Sequence, residues 1–347
     1  METKKNVLSS LGARNMKTYI QEDYLDDLKR YTESCVKTGF GSIDAKTKLY
    51  PGLYVLGAVS SLGKTTFCFQ LAVNLAVQGK SVIFITLEEN CQSLSSKLNR
   101  LLWSTEIANN PNDPTDATQD LEPGEIRYFV SNVPEYIDKI TIVPADSGIY
   151  VGDILSYIDT WMESTNEKPV VIIDYLQLIC GDRQASAKDN IDSTVKSLAN
   201  YRKKHDLIMI LISSLNRNSY MSLLSFESFK ESGGIEYSAD VVLGLQYQVL
   251  HDSLFDLNGK INEKREKLME AKAENPRRLE LVCLKNRGGN PVFSSNLEFY
   301  AGESRFQSEG QRDIQILPDL MPTPEGPTRE HIMSVLQEME ILEPEFF

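Results

Sequence analysis

Long apolar runs are missing from this chain: its most hydrophobic stretches, near Leu207 to Ile212 and Val170 to Ile173, are only of strand length. A helix that crosses a bilayer needs about 20 consecutive apolar residues, so no membrane association is expected. The opening METKKN leads into no apolar stretch of the kind a secretory leader carries. Cysteine is sparse as well. Cys35, Cys68, Cys91, Cys180 and Cys283 stand far apart, with no C-x-x-C pair and no companion histidine spacing, which argues against zinc modules and disulfide scaffolds. Four of the five lie in or beside apolar runs and are expected to be buried free thiols. These absences together point to a cytoplasmic protein. A basic excess is also lacking. The formal net charge is −13, and Glu303 to Phe347 alone hold 10 acidic and 3 basic residues. Such a balance opposes a protein that coats DNA by charge alone, yet leaves room for a local basic groove. There are no internal repeats. The rest is ordinary for a soluble globular chain of one large or two modest domains: 347 residues, 41% hydrophobic and 24% charged.

Against this background one segment stands out. Gly57-Ala-Val-Ser-Ser-Leu-Gly63-Lys64-Thr65-Thr66 fits G-x-x-x-x-G-K-[ST] at every fixed position. Leu53 to Leu56 before it reads as a buried strand and Thr66 to Val77 after it as a helix. Strand, glycine-hinged loop and helix N-terminus make a phosphate cradle, because backbone N–H groups and the helix dipole favour an anion. Gly57, Ser60, Ser61, Leu62, Gly63, Lys64, Thr65 and Thr66 are the candidate nucleotide-binding positions. Lys64 is expected to reach the β- and γ-phosphates and the Thr65 hydroxyl to ligate Mg²⁺, so ATP and Mg²⁺ are the expected ligands.

The middle of the chain alternates strand and helix signals. Strands are expected at Val82 to Thr86, Ile140 to Val143, Val170 to Ile173, Leu207 to Ser213, Asp240 to Leu245 and Leu279 to Leu284. Helices are expected from about Gln92 to Trp103, Val151 to Ser164 and Asp192 to Lys204. The polar, proline-bearing stretch Asn109 to Glu122 reads as a solvated loop, and the charged Gly259 to Asn275 as a solvated helix. Continuous apolar strands between helices imply an α/β fold, with a mostly parallel sheet covered on both faces and ligands at the strands' carboxyl ends. Asn15 to Ser34 reads as an amphipathic helix with Tyr19, Ile20, Tyr24, Leu25, Leu28 and Tyr31 near helical spacing. Thr328 to Leu342 reads as a last helix with Ile332, Val335, Leu336 and Met339 on one face.

Val170 to Asp174 is an apolar strand ending in a carboxylate, placing Asp174 in the Mg²⁺ shell. Glu88 and Glu89 follow a strand directly. Either could polarise an attacking water, or the pair could be exposed acids opening a helix, favoured by its dipole; the residues alone leave both readings open.

The ordered set Thr38-Gly-Phe, GAVSSLGKTT, FITLEE, VVIIDYLQLI, SSLNR, FKESGGIEYSAD and LKNRGG resembles the C-terminal motor domain of DnaB-type replicative helicases, over roughly Lys37 to Phe306. The spelling of two motifs, GAVSSLGKTT and SSLNR, is nearest to helicase-like ATPases of phages and mobile elements. The resemblance implies a RecA-like P-loop core arranged as a homo-hexamer, with ATP held between subunits and single-stranded DNA in the ring. It implies Glu88 as catalytic base. Lys285 and Arg287 match the basic pair that reaches the neighbour's triphosphate, Arg287 being the arginine finger. Lys230, Glu231 and Gly233 belong to the loop that grips DNA, with Gly234 beside them, and Arg183 and Lys188 lie in a second segment that could face the channel. Residues 1–36 then form a linker helix segment, 37–306 the ATPase domain, and 307–347 an acidic tail with a final helix.

Two departures stand out. Ser214 occupies the position of a glutamine that senses the γ-phosphate, and a serine is too short to span that gap without water. About 37 residues precede Thr38, so the helical collar that docks primase is expected to be absent, although a primase or a helicase loader is the partner class the family implies. The expected activity is ATP-dependent DNA unwinding. The rival is a RecA- or KaiC-type ATPase that assembles on DNA or protein without unwinding; a non-catalytic nucleotide-regulated scaffold is a third reading, opposed by the intact Lys64, Glu88, Asp174 and Arg287.

Overall fold

The computed structural model describes residues 15–109, 126–127, 130–146, 148–180, 186–229, 232–310 and 313–316. Its sheet has the order β3-β2-β4-β5-β1-β6-β7-β8-β9 among the described residues. The strands are β1 (Gly52–Ala58), β2 (Val82–Thr86), β3 (Ile140–Pro144), β4 (Val170–Asp174), β5 (Ile208–Ser214), β6 (Val241–Tyr247), β7 (Arg277–Asn286), β8 (Phe293–Tyr300) and β9 (Arg305–Ser308). From β3 to β6 all pairings are parallel; β7, β8 and β9 continue antiparallel. The expected α/β class with a mostly parallel sheet holds.

β1, β2 and β4 are buried at every position, as a parallel strand covered on both faces must be. Successive side chains serve two cores. Tyr54, Leu56 and Ala58 face one, with Ile208, Ile210 and Ile212; Leu53 and Val55 face the other, with Met209 and Leu211.

The helices are α1 (Met16–Glu22), α2 (Tyr24–Ser34), α3 (Gly41–Asp44), α4 (Lys64–Val77), α5 (Cys91–Asn109), α6 (Val151–Thr165), α7 (Ala187–His205), α8 (Ser232–Ser238) and α9 (Ile261–Ala273). α4 is buried from Thr66 to Ala76. Two of its buried polar residues at helical spacing reach across to other segments: the Gln70 side chain donates to the Phe306 carbonyl at 2.9 Å and accepts from its N–H at 2.6 Å. Asn74 donates to the Thr38 carbonyl at 3.0 Å. The Thr38-Gly-Phe motif is thus a docking turn. Asp44 accepts from the N–H groups of Thr38 and Gly39 at 2.7 and 3.0 Å, and Phe40 stacks on Phe67 with centroids 4.8 Å apart.

Several expectations change. The amphipathic stretch is two helices broken at Asp23, and none of its residues is buried. Met16, Ile20, Leu25 and Leu28 stay exposed. β8 and β9 are additions to the expected strands. β8 alternates buried and more exposed positions strictly, the period-two signature of a half-covered antiparallel strand. α5 runs to Asn109, past the expected end at Trp103. All five cysteines are free, but only Cys68 and Cys283 are buried; Cys35 and Cys180 are half-buried and Cys91 is exposed at the start of α5. Most of the loop from Asn109 to Glu122, Arg183, Lys230, Glu231 and the helix expected at Thr328 to Leu342 lie outside the described residues. Among the described residues no helix is long and apolar enough to cross a membrane.

Candidate nucleotide site

Strand order puts two chemistries side by side. The phosphate loop leaves β1, and Asp174 ends β4, with β5 between them. Adjacent strands lie about 4.8 Å apart, so the two carboxyl ends sit roughly 10 Å apart, a gap that the loop itself closes. The Thr65 hydroxyl donates to Asp174 Oδ2 at 2.6 Å.

The loop's shape is set by backbone freedom and by what supports it. Gly63, the residue before α4, has φ +84°, and Ser61 also lies in the left-handed region at φ +65°. A Cβ on Gly63 would meet the Phe299 ring at 2.8 Å. Phe299 stacks on Phe306 with centroids 4.3 Å apart, so the β8–β9 hairpin is the floor of the loop. Arg277 at the start of β7 donates to the Ser61 carbonyl at 3.4 Å and lies over the Phe299 ring. On the other sheet face, a Cβ on Gly57 would lie 2.4 Å from the Phe229 ring and 2.8 Å from Leu215. We therefore expect Gly57→Ala to destabilise the fold by about 1–3 kcal/mol through overpacking; thermal unfolding of the purified variant checks this, and an unchanged melting temperature rejects it.

Lys64 donates to the carbonyls of Ala58 and Val59 at 3.2 and 3.4 Å. Burial holds its ammonium below the ordinary lysine value, opposed by the charges of Asp174 and Glu88. Burial likewise pushes the Asp174 carboxyl up to about 6; Glu88 and Glu89 add to this, while the Thr65 hydrogen bond and Lys64 act against it. A site whose side-chain donors are one buried carboxylate and one hydroxyl, both oxygen, suits a hard cation. Mg²⁺ characteristically takes one or two protein oxygens and completes its shell with water and phosphate. The donor set fits.

The two candidate glutamates separate cleanly. Glu89 Oε2 accepts from Ser93 Oγ at 2.7 Å and pairs with Lys97, so it braces the first turns of α5. Glu88 is exposed, and its charge acts on Lys64, Asp174 and Tyr175.

Ser214 ends β5 opposite Ala58. Its N–H donates to Gln177 Oε1 at 3.2 Å, and Gln177 Nε2 donates to Ser213 Oγ at 3.0 Å. Gln177, just after β4, therefore ties the Asp174 strand to the Ser214 strand. Sequence reading passes over it, although its place in IDYLQL beside the carboxylate is a usable signal.

Lys285 and Arg287 are elsewhere. β7 runs antiparallel to β6, pairing Leu281 with Leu245 and Asn286 with Val241. Arg277 therefore borders the phosphate loop, whereas Arg287, ten residues on, lies beyond the opposite edge, roughly 30 Å away at about 3.4 Å per residue. Arg287 Nη2 donates to the Tyr237 carbonyl at 2.8 Å, and Lys285 Nζ donates to that of Glu236. Gly288, after Arg287, lies against Tyr50, whose ring a Cβ there would meet at 2.5 Å. Gly233 is near the start of α8. Lys188, in the first turn of α7, is part of that helix's amino end.

Comparison with known proteins decides the family. Residues 35–308 match the DnaB-like helicase C terminal domain. The chain belongs to that family. It is 26% identical over 283 residues to a probable replicative DNA helicase of Trieres chinensis, covering 78% of this chain and 56% of that protein. It is 25% identical over 303 residues to the replicative DNA helicase DnaB of Geobacillus stearothermophilus, covering 82% and 59%. The chain thus spans under two thirds of the length of these relatives. Among solved structures, a phage ATPase domain superposes with a TM-score of 0.64 at 19% identity, over 85% of this chain and 99% of that one. A DnaB-like replicative helicase solved in a study of its interactions with primase gives 0.60 at 20% identity, over 85% and 67%. The DnaB-like core is RecA-like, and kinship to replicative helicases is distant.

Proposed function

We propose that this chain is an ATP-driven motor that moves on single-stranded DNA as a homo-hexameric ring and unwinds duplex ahead of it. The observation that carries this reading is the separation of the two basic ends of β7. A chain that holds Thr65 and Asp174 at one edge of its sheet and Lys285 and Arg287 beyond the other can use the second pair only on another subunit's nucleotide. Head-to-tail repetition of such a contact closes a ring where the rotation between subunits closes.

In this reading Lys64 and the loop amides hold the β- and γ-phosphates, and Thr65 and Asp174 would hold Mg²⁺, which would supply positive charge beside the phosphate oxygens. Ser60, Ser61, Leu62, Gly63 and Thr66 shape the cradle. Glu88 accepts the proton of the attacking water, and Arg287 stabilises charge spread over the transferring group. The loop that carries Lys230, Glu231 and Gly233 grips the DNA backbone, Lys230 contacting phosphate and Gly233 letting backbone amides approach it, and Ser214 marks where nucleotide state is read. The domain division is 1–36 linker segment, 37–306 motor and 307–347 tail.

The test is ATP hydrolysis with and without single-stranded DNA, beside unwinding of a forked duplex. Stimulation by DNA together with strand separation supports the motor. Stimulation without separation favours the rival ATPase that assembles on DNA, which the short Ser214 supports. An ATPase rate unmoved by DNA removes DNA as the partner.

The exposed apolar faces of α1 and α2 supply the ring's anchor in this reading. Removal of residues 1–34 is expected to shift the assembly from hexamer to smaller species, measured by light scattering with an ATP analogue and Mg²⁺. A truncated chain that forms hexamers as readily as the parent rejects the linker role.

A further inference from the structure

Asp240 has no part in the scheme above, yet its carboxylate is a meeting point of three elements. It is buried, at the step from α8 into β6. Oδ2 accepts from the Leu53 N–H of β1 at 2.8 Å and pairs with Arg202 of α7 at 2.7 Å. Oδ1 faces Arg287 Nη1 at 3.6 Å, and the Asp240 carbonyl accepts from the Arg287 N–H at 3.0 Å. Arg287 is thereby held by backbone at its N–H, by carboxylate at Nη1 and by the Tyr237 carbonyl at Nη2, while its side chain remains 54% exposed. Lys285 is oriented by the neighbouring Glu236 carbonyl.

We propose that Asp240 is a positioning residue for hydrolysis at the adjoining subunit: with the last carbonyls of α8 it fixes Arg287 in the pose presented across the ring. This rests on the trans role of Arg287 given above. The physical reason is that a guanidinium on a flexible stem loses rotamer freedom when it engages a phosphoryl group. Two of its nitrogens anchored beforehand leave less to order, and the remaining N–H groups free to face the ligand. The carboxylate's other oxygen, tied to Leu53 and Arg202, keeps Asp240 itself from moving.

Asp240→Asn retains the shape and can still accept the Leu53 N–H, but it removes the charge that faces Arg287 and Arg202. The expected result is a fall in kcat of about 10- to 100-fold, the scale of a misplacement of about 1 Å, with affinity for an ATP analogue within about twofold of the parent. The decisive measurement is mixing. A residue that acts through Arg287 belongs to the finger side of the interface. Asp240→Asn subunits mixed with Lys64→Ala subunits should regain activity, because a rebuilt interface pairs an intact phosphate loop with an intact finger. Mixed with Arg287→Ala subunits they should regain none.

With the control mixture of Arg287→Ala and Lys64→Ala active, recovery in both mixtures, in neither, or a parent-like rate of Asp240→Asn alone would overturn the proposal. The control mixture of Arg287→Ala with Lys64→Ala keeps the two readings apart: if that fails although subunits exchange, the trans role of Arg287 has failed rather than the role of Asp240. Asp240→Ser, which keeps a small neutral polar side chain near the Leu53 N–H, replaces the asparagine variant if that does not assemble. If neither variant assembles, Asp240 is structural and the proposal falls.

Discussion

Glu88→Gln is expected to lower kcat for ATP hydrolysis about 10²- to 10⁴-fold, the range for loss of a general base, with binding of an ATP analogue nearly unchanged. The change keeps the side chain's size and removes its negative charge, and with it the capacity to take a proton. Because Glu88 is exposed and makes no ion pair with a described residue, the fold should not suffer. Glu89 gives the contrast. It braces α5 through Ser93 and Lys97, so Glu89→Gln is expected to act on stability more than on rate. Single-turnover hydrolysis beside thermal unfolding separates the two. A parent-like rate in Glu88→Gln with a slow Glu89→Gln would reverse the assignment.

Arg287→Ala should bind nucleotide much as the parent does and hydrolyse it about 10³- to 10⁵-fold more slowly, the range for an arginine finger. The side chain is taken to act on charge that develops only in the transition state, so kcat should fall far more than apparent affinity. Geometry makes the trans prediction sharp, since Arg287 lies beyond the sheet edge opposite its own phosphate loop. Mixing Arg287→Ala with Lys64→Ala subunits at equal amounts should rebuild about one quarter of the interfaces in a closed ring. Steady-state rate against mixing ratio is the measurement, after fluorescence exchange shows that subunits mix. If no ratio exceeds the single variants, hydrolysis does not use a shared site.

Much of this site is legible before any coordinates. The phosphate loop is readable because its chemistry is local: one contiguous decapeptide supplies the glycines, the lysine and the hydroxyl, and flanking apolar patterns place it between strand and helix. β1, β2 and β4 are readable for a related reason. A parallel strand buried on both faces must be apolar throughout, and the stretches Leu53 to Leu56, Val82 to Thr86 and Val170 to Ile173 stand out. β8 is less visible, because only one of its faces is fully buried and its polar residues interrupt the apolar run.

What the chain's own letters determined was therefore the set of parts: a phosphate cradle, an acid-ended strand, a glutamate pair and a basic pair, in order. What tertiary structure alone decided was their arrangement. It joined Thr65 to Asp174 across an intervening strand, divided Glu88 from Glu89, and set Gln177 against Ser213 and Ser214. It also filled the space beside Gly57 with Phe229 and beside Gly63 with Phe299, and set Asp240 against Arg287. The physical reason is sequence distance. Contacts within a loop or along one strand are fixed by backbone periodicity, which a sequence displays. Contacts between strands depend on sheet order and register, which follow from how all the apolar faces are buried together and from no single segment.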